Sequence, residues 1–121
     1  MEASKIRVVI VEDEPFFLEE FMRIIQASPE FTLAGTATSV KAGCNLVRSM
    51  EYDVLLCDLG LPDGSGTEII RLGSEVKPNA VSMVVSLFGD EERVVINGIY
   101  RQEPYQGVSS TSVMMTYTVG L

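Results

Sequence analysis

Histidine and tryptophan are absent from the 121-residue chain, cysteine occurs only twice, and no two cationic residues stand side by side. Each absence removes a class of function. Without His, and with Cys44 and Cys57 standing apart with no C-x-x-C between them, the chain has no set of zinc ligands. Both thiols are expected to be buried core groups. A net charge of -8 with no basic run argues against nucleic acid or an anionic membrane as a direct partner. It favours cations and basic partner surfaces. The opening residues, MEASKIR, do not lead a cationic segment into an apolar core, and no apolar run reaches about 18 residues. A soluble, cytoplasmic protein is expected.

What is present is a regular alternation of two periodicities. Ile6 to Val11 is a short apolar run rich in branched residues, the signature of a strand buried on both faces. Pro15 suits a first helical position with Asp13 or Glu14 as cap, and Phe17, Phe21, Ile24 and Ile25 recur at helical spacing until Ser28-Pro29. Phe31 to Thr38 reads as a second strand interrupted by Gly35, and Ser39 as the cap of a helix with Val40, Cys44, Val47 and Met50 on one face. Val54 to Cys57 is a third strand, Thr67 to Gly73 a short third helix, Lys77-Pro78-Asn79 a turn and Val81 to Leu87 a fourth strand. A fourth helix is expected from Gly89-Asp90. Strands separated by helices imply βαβ units and a parallel sheet covered on both faces, in one domain.

Acidic residues stand where that sheet would bind a ligand. The first strand runs into Glu12-Asp13-Glu14 and the third ends at Asp58, so parallel neighbours would bring their acidic ends into one pocket at the carboxyl edge. Gly60, Pro62, Gly64 and Gly66 follow Asp58 and let the backbone bend closely round it. The fourth strand reaches Ser86 much as the third reaches Asp58. These residues also have plainer uses: Asp58 and Asp63 as turn formers, Glu12 and Asp13 in capping, Ser86 as a hydroxyl satisfying nearby backbone.

Together, IRVVIVEDEP, DVLLCDLGLPDGSG and VSMVVSLFGDEERV resemble the receiver domains of bacterial two-component response regulators, of the kind attached to a helix-turn-helix output domain. The resemblance covers about residues 5–96 of the receiver domain spanning 1–121, with no output domain in these residues. It implies a flavodoxin-like α/β sandwich of three layers, with five parallel strands in order 2-1-3-4-5. It also implies roles: Asp58 as the phosphoryl acceptor, Glu12 and Asp13 with Asp58 and the Gly60 backbone carbonyl as the Mg2+ site, and Ser86 as the hydroxyl that contacts the phosphoryl group. The implied partner is a sensor histidine kinase, and the implied output is control of a DNA-binding transcription regulator. The chain would then be a phosphoacceptor rather than an enzyme. Mg2+ suits such a set of hard oxygen donors, because transfer to Asp58 is limited by positioning and charge neutralisation.

The chain departs from the family after about residue 97. No Lys follows Lys77, so the cation that the family pairs with the phosphoryl group is missing, and Arg101 is the remaining cation of the tail. Neither Tyr100 nor Tyr105 stands in a convincing register for the family's switch aromatic. Gly107 to Val119 is rich in Ser, Thr, Val and Met and has no helical stripe, so a fifth strand and a β-like extension are expected in place of a fifth helix. One flank of the sheet would then lie uncovered, which invites homodimerisation or strand exchange. The alternative function is a pseudo-receiver, a protein-interaction module that works without phosphate. An aspartyl-phosphate phosphatase on the same sheet would want an acid two residues beyond Asp58, where Gly60 stands.

Overall fold

A computed structural model of the protein describes residues 4–86, 99–101 and 113–116. The elements alternate in the expected order: β1 (Ile6–Val11), α1 (Pro15–Ala27), β2 (Phe31–Ala37), α2 (Val40–Ser49) and β3 (Val54–Asp58). Two minimal strands, β4 (Gly60–Leu61) and β5 (Gly64–Ser65), pair as a hairpin after β3. Then come α3 (Thr67–Val76), β6 (Val81–Ser86), β7 (Ile99–Arg101) and β8 (Val113–Thr116).

The main sheet has the order β2-β1-β3-β6-β8-β7. Its first four strands reproduce the expected parallel arrangement, with Val11 opposite Cys57 and Asp58 opposite Val85. The remainder corrects the five-strand expectation. Strand β8, inside the β-prone stretch Gly107 to Val119, takes the fifth position parallel to β6, and β7 adds a sixth strand antiparallel to β8. An edge strand leaves a row of backbone donors and acceptors unpaired, and β7 satisfies that row. The expected fourth helix and Tyr105 lie outside the described residues.

Period-two alternation sorts the strand residues between two cores. Val8, Ile10, Leu56 and Val85 pack with Phe21 and Ile25 of α1. On the opposite face Val9, Val11, Leu55, Cys57 and Val84 pack with Val40 and Val47 of α2 and Ile69 and Ile70 of α3. Among the described residues, no helix is long and apolar enough to cross a membrane. Cys57 is buried as expected, whereas Cys44 is only half-buried, because it sits at the margin of the core on α2; both are free thiols.

Helix ends follow local chemistry. Pro15 opens α1 with the Glu14 carboxylate accepting from the Phe16 N–H at 3.5 Å, and Ser39 Oγ accepts from the Ala42 N–H at 3.1 Å at the start of α2. Helix α3 runs past Gly73, where it was expected to stop, and ends at Val76. Gly73 is a packing residue: a Cβ there would lie 2.8 Å from the buried Tyr52 hydroxyl.

The helices α2 and α3 meet through another such glycine. A Cβ on Gly43 would lie 2.4 Å from Ile69 Cδ1 and 3.3 Å from Val11 Cγ2. Gly43→Ala should therefore destabilise the fold by about 1–3 kcal/mol, despite the better helix propensity of alanine. Ile69→Val deletes the clashing methyl, so the double variant should be more stable than the two single effects predict, by roughly 1 kcal/mol. Urea denaturation of the four proteins measures this coupling; simple additivity would show that Ile69 does not fill the Gly43 notch.

Candidate functional site

The carboxyl ends of β1 and β3 lie side by side because the strands are parallel and in register, and the chain leaves each of them with a carboxylate. Glu12 continues β1, its N–H donating to the Ala37 carbonyl at 3.0 Å, and the side chain is only 1% exposed. Asp58, the last residue of β3, is 8% exposed. Asp13 lies at the exposed rim. One oxygen from each of the three carboxylates lies within 4.8 Å of the others, a grouping that could hold a metal ion. The sequence-predicted acidic residues therefore converge.

Their partners are few. Glu12 Oε1 accepts from the Glu14 N–H at 3.1 Å, but Oε2 is buried with no hydrogen-bond partner. Asp58 Oδ1 accepts from the Gly60 N–H at 3.2 Å. The ion pairs found among the described residues, Arg7–Asp53, Arg23–Glu20 and Lys77–Glu51, involve none of the three. Burial, joined by the adjacent Asp58 carboxylate, pushes the Glu12 carboxyl up from 4.5 to about 8. Burial likewise raises Asp58, against the Gly60 N–H, which favours its charged form. A buried carboxylate oxygen with no donor is costly, and a small, hard cation among oxygen ligands would remove that cost. The donor set fits such an ion.

The loop beyond Asp58 is packed tightly from below. The Gly66 N–H donates to the Leu59 carbonyl at 2.9 Å, and a Cβ on Gly66 would fall 2.1 Å from the Asp58 carbonyl oxygen. Gly66 must be glycine for that approach. Gly60 differs, because a Cβ there would meet nothing within 4 Å. Asp63, expected to be a turn residue, does more: its carboxylate accepts from the N–H groups of Val40 and Lys41, at 2.7 and 3.0 Å. The backbone of Ser86 follows Val85, the partner of Asp58 across the sheet. Its side chain lies outside the described residues.

Residues 8–99, well over half of the chain, match the family described as the response regulator receiver domain. The chain belongs to that family. This receiver is 31% identical over 91 residues to the transcriptional regulatory protein DegU of Brevibacillus brevis, covering 75% of this chain and 39% of DegU. It is 28% identical over 88 residues to a protein-glutamate methylesterase/protein-glutamine glutaminase of Geobacter sulfurreducens, covering 73% of this chain and 24% of that protein. The chain thus spans less than half the length of either relative. The crystal structure of a LuxR-family two-component response regulator from Aurantimonas superposes with a TM-score of 0.64 at 24% identity, covering 71% of this chain and 61% of that one. That likeness shows the shared fold.

The raised carboxyl of Glu12 sets a pH dependence. In the ion-free protein the native state holds a proton that the unfolded chain releases, so this group's contribution to stability is complete below about pH 4.5 and is lost as pH rises towards about 8. Thermal melts in a chelator should therefore show declining stability across that window. Added Mg2+ should raise the melting temperature more at the alkaline end than at the acidic end. A Mg2+ effect of equal size at both ends would contradict the assignment of Glu12 to the pocket.

Proposed function

We propose that this receiver takes a phosphoryl group on Asp58 from the phosphohistidine of a sensor histidine kinase. The observation that carries the reading is the cluster of carboxyl groups at the ends of two adjacent parallel strands, with Glu12 and Asp58 buried, Asp13 at the exposed rim and Glu12 Oε2 without a hydrogen-bond partner. Glu12, Asp13, Asp58 and the backbone carbonyl of Gly60 would hold Mg2+. When bound, the ion neutralises charge that would otherwise oppose the approach of two anions.

The remaining work falls to the chain itself. The Gly60 N–H fixes one oxygen of Asp58 and favours its ionised form, the form that attacks phosphorus. As the new P–O bond forms, the P–N bond of the phosphohistidine breaks, and the electron pair stays on the imidazole nitrogen, which takes a proton from solvent. Phosphorylation would add about two negative charges at the end of β3. Ser86, one residue beyond the strand partner of Asp58, is the hydroxyl assigned to meet them.

The output this event controls belongs to the rest of the protein. The similarity to DegU favours an attached DNA-binding transcription regulator, although the methylesterase relative carries a receiver on a different type of protein. Absence of any Lys after Lys77 favours a second reading, a pseudo-receiver acting through its surface. On either reading, homodimerisation would use the α1 face or the atypical segment 97–121. Among the described residues α1 is the only helix packed on that face of the sheet.

Intact-protein mass after incubation with Mg2+ and acetyl phosphate separates the two readings. A labile gain of one phosphoryl group on the wild type, absent from Asp58→Asn and from wild type in chelator, is the expected result. No gain on the wild type under any condition would leave the pseudo-receiver.

A further inference from the structure

Helix α2 begins with N–H groups that have no partner within the helix, and two different residues satisfy three of them. Ser39 takes one locally, Ala42 N–H on its hydroxyl at 3.1 Å, while its carbonyl accepts the first intrahelical bond, from Gly43 N–H at 2.8 Å. Asp63 takes the other two, Val40 N–H at 2.7 Å and Lys41 N–H at 3.0 Å, from a position 22 to 23 residues later in the chain. Those N–H groups hold the Asp63 carboxyl below the usual carboxylate range, so it is charged under ordinary conditions. A charged acceptor at a helix N-terminus is a strong attachment.

What Asp63 attaches is the β4–β5 hairpin. Each strand of it has two residues, with Pro62-Asp63 as the turn and Gly64 at φ 151°, a conformation that other residues rarely adopt. So small a hairpin has little stability of its own. It is held by Leu61, which is buried in the same core as Val40, and by the Asp63 carboxylate. Its first residue is Gly60, whose N–H donates to Asp58 Oδ1. The hairpin therefore connects the acceptor carboxylate to the first turn of α2.

We infer that Asp63 is a positioning residue for the acceptor pocket: by latching the hairpin to α2 it keeps the Gly60 backbone against Asp58. This rests on the reading of Asp58 as phosphoryl acceptor. The competing account is that Asp63 only stabilises α2, as Ser39 does. Ser39→Ala is therefore the control, since it removes a cap from the same helix turn without touching the hairpin.

Three proteins, the wild type, Asp63→Ala and Ser39→Ala, are compared with Asp63→Asn, which retains one acceptor oxygen. In ion-free protein, amide hydrogen exchange at Gly60 and Gly66 should quicken in Asp63→Ala and stay near the wild-type rate in Ser39→Ala. The Mg2+ concentration for half-maximal phosphoryl uptake from acetyl phosphate should rise roughly tenfold in Asp63→Ala, as when a support behind a metal ligand is lost. It should change less than about twofold in Ser39→Ala, with Asp63→Asn between the two. Equal effects of Asp63→Ala and Ser39→Ala on both readouts would overturn the inference and leave the acceptor reading intact. A wild type that takes up no phosphoryl group would instead overturn the acceptor reading, and the exchange rates would still decide whether the latch exists.

Discussion

The structure depends on holding two carboxylates close together where water scarcely reaches. Glu12 and Asp58 end adjacent parallel strands, and each is almost fully buried. Burial disfavours their charged forms; the Asp58 carboxylate adds to this at Glu12, whereas a hydrogen bond from Glu12 favours the charged form of Asp58. Such an arrangement persists only if the surrounding sheet is stable enough to absorb its cost. The two apolar cores do so, since strands β1 and β3 are clamped between α1 on one face and α2 with α3 on the other. The site is thus a local loss of stability held by the fold, as is common where pKa values are shifted for function.

Around that pair the backbone is fixed by close approaches. Gly66 lies against the Asp58 carbonyl, Cys57 is buried beneath it, and the Gly60 N–H reaches back to the carboxylate. Burial pushes the Cys57 thiol well above its ordinary range, so it acts as an apolar filler. The acceptor role proposed for Asp58 would ask for few groups but for tight placement of each, and these contacts are consistent with it.

Much of this was legible in the residues, and the limits are instructive. Short branched runs marked β1, β3 and β6, and their acidic ends marked the pocket, because a charged residue at the end of a buried strand conflicts with simple packing. Ser39 and Pro15 marked helix starts through local rules. The misses are contacts between distant segments. Gly73 suggested the end of a helix but serves the Tyr52 hydroxyl, and Asp63 suggested a turn but also caps a helix more than twenty residues earlier. Nothing local to either residue reveals its partner. The antiparallel β7 escaped for a similar reason, since three residues carry too little pattern to announce which edge they will join.

On the reading proposed above, Glu12 is kept ionisable at a cost to stability, for the sake of a bound cation. Glu12→Gln tests it most directly. Without Mg2+ at about pH 8, where the wild-type carboxyl is losing its proton, the glutamine protein should melt at a higher temperature than the wild type. It should also lose most of the stabilisation that Mg2+ gives. A glutamine protein that melts lower than wild type, or that gains as much from Mg2+, would contradict the account.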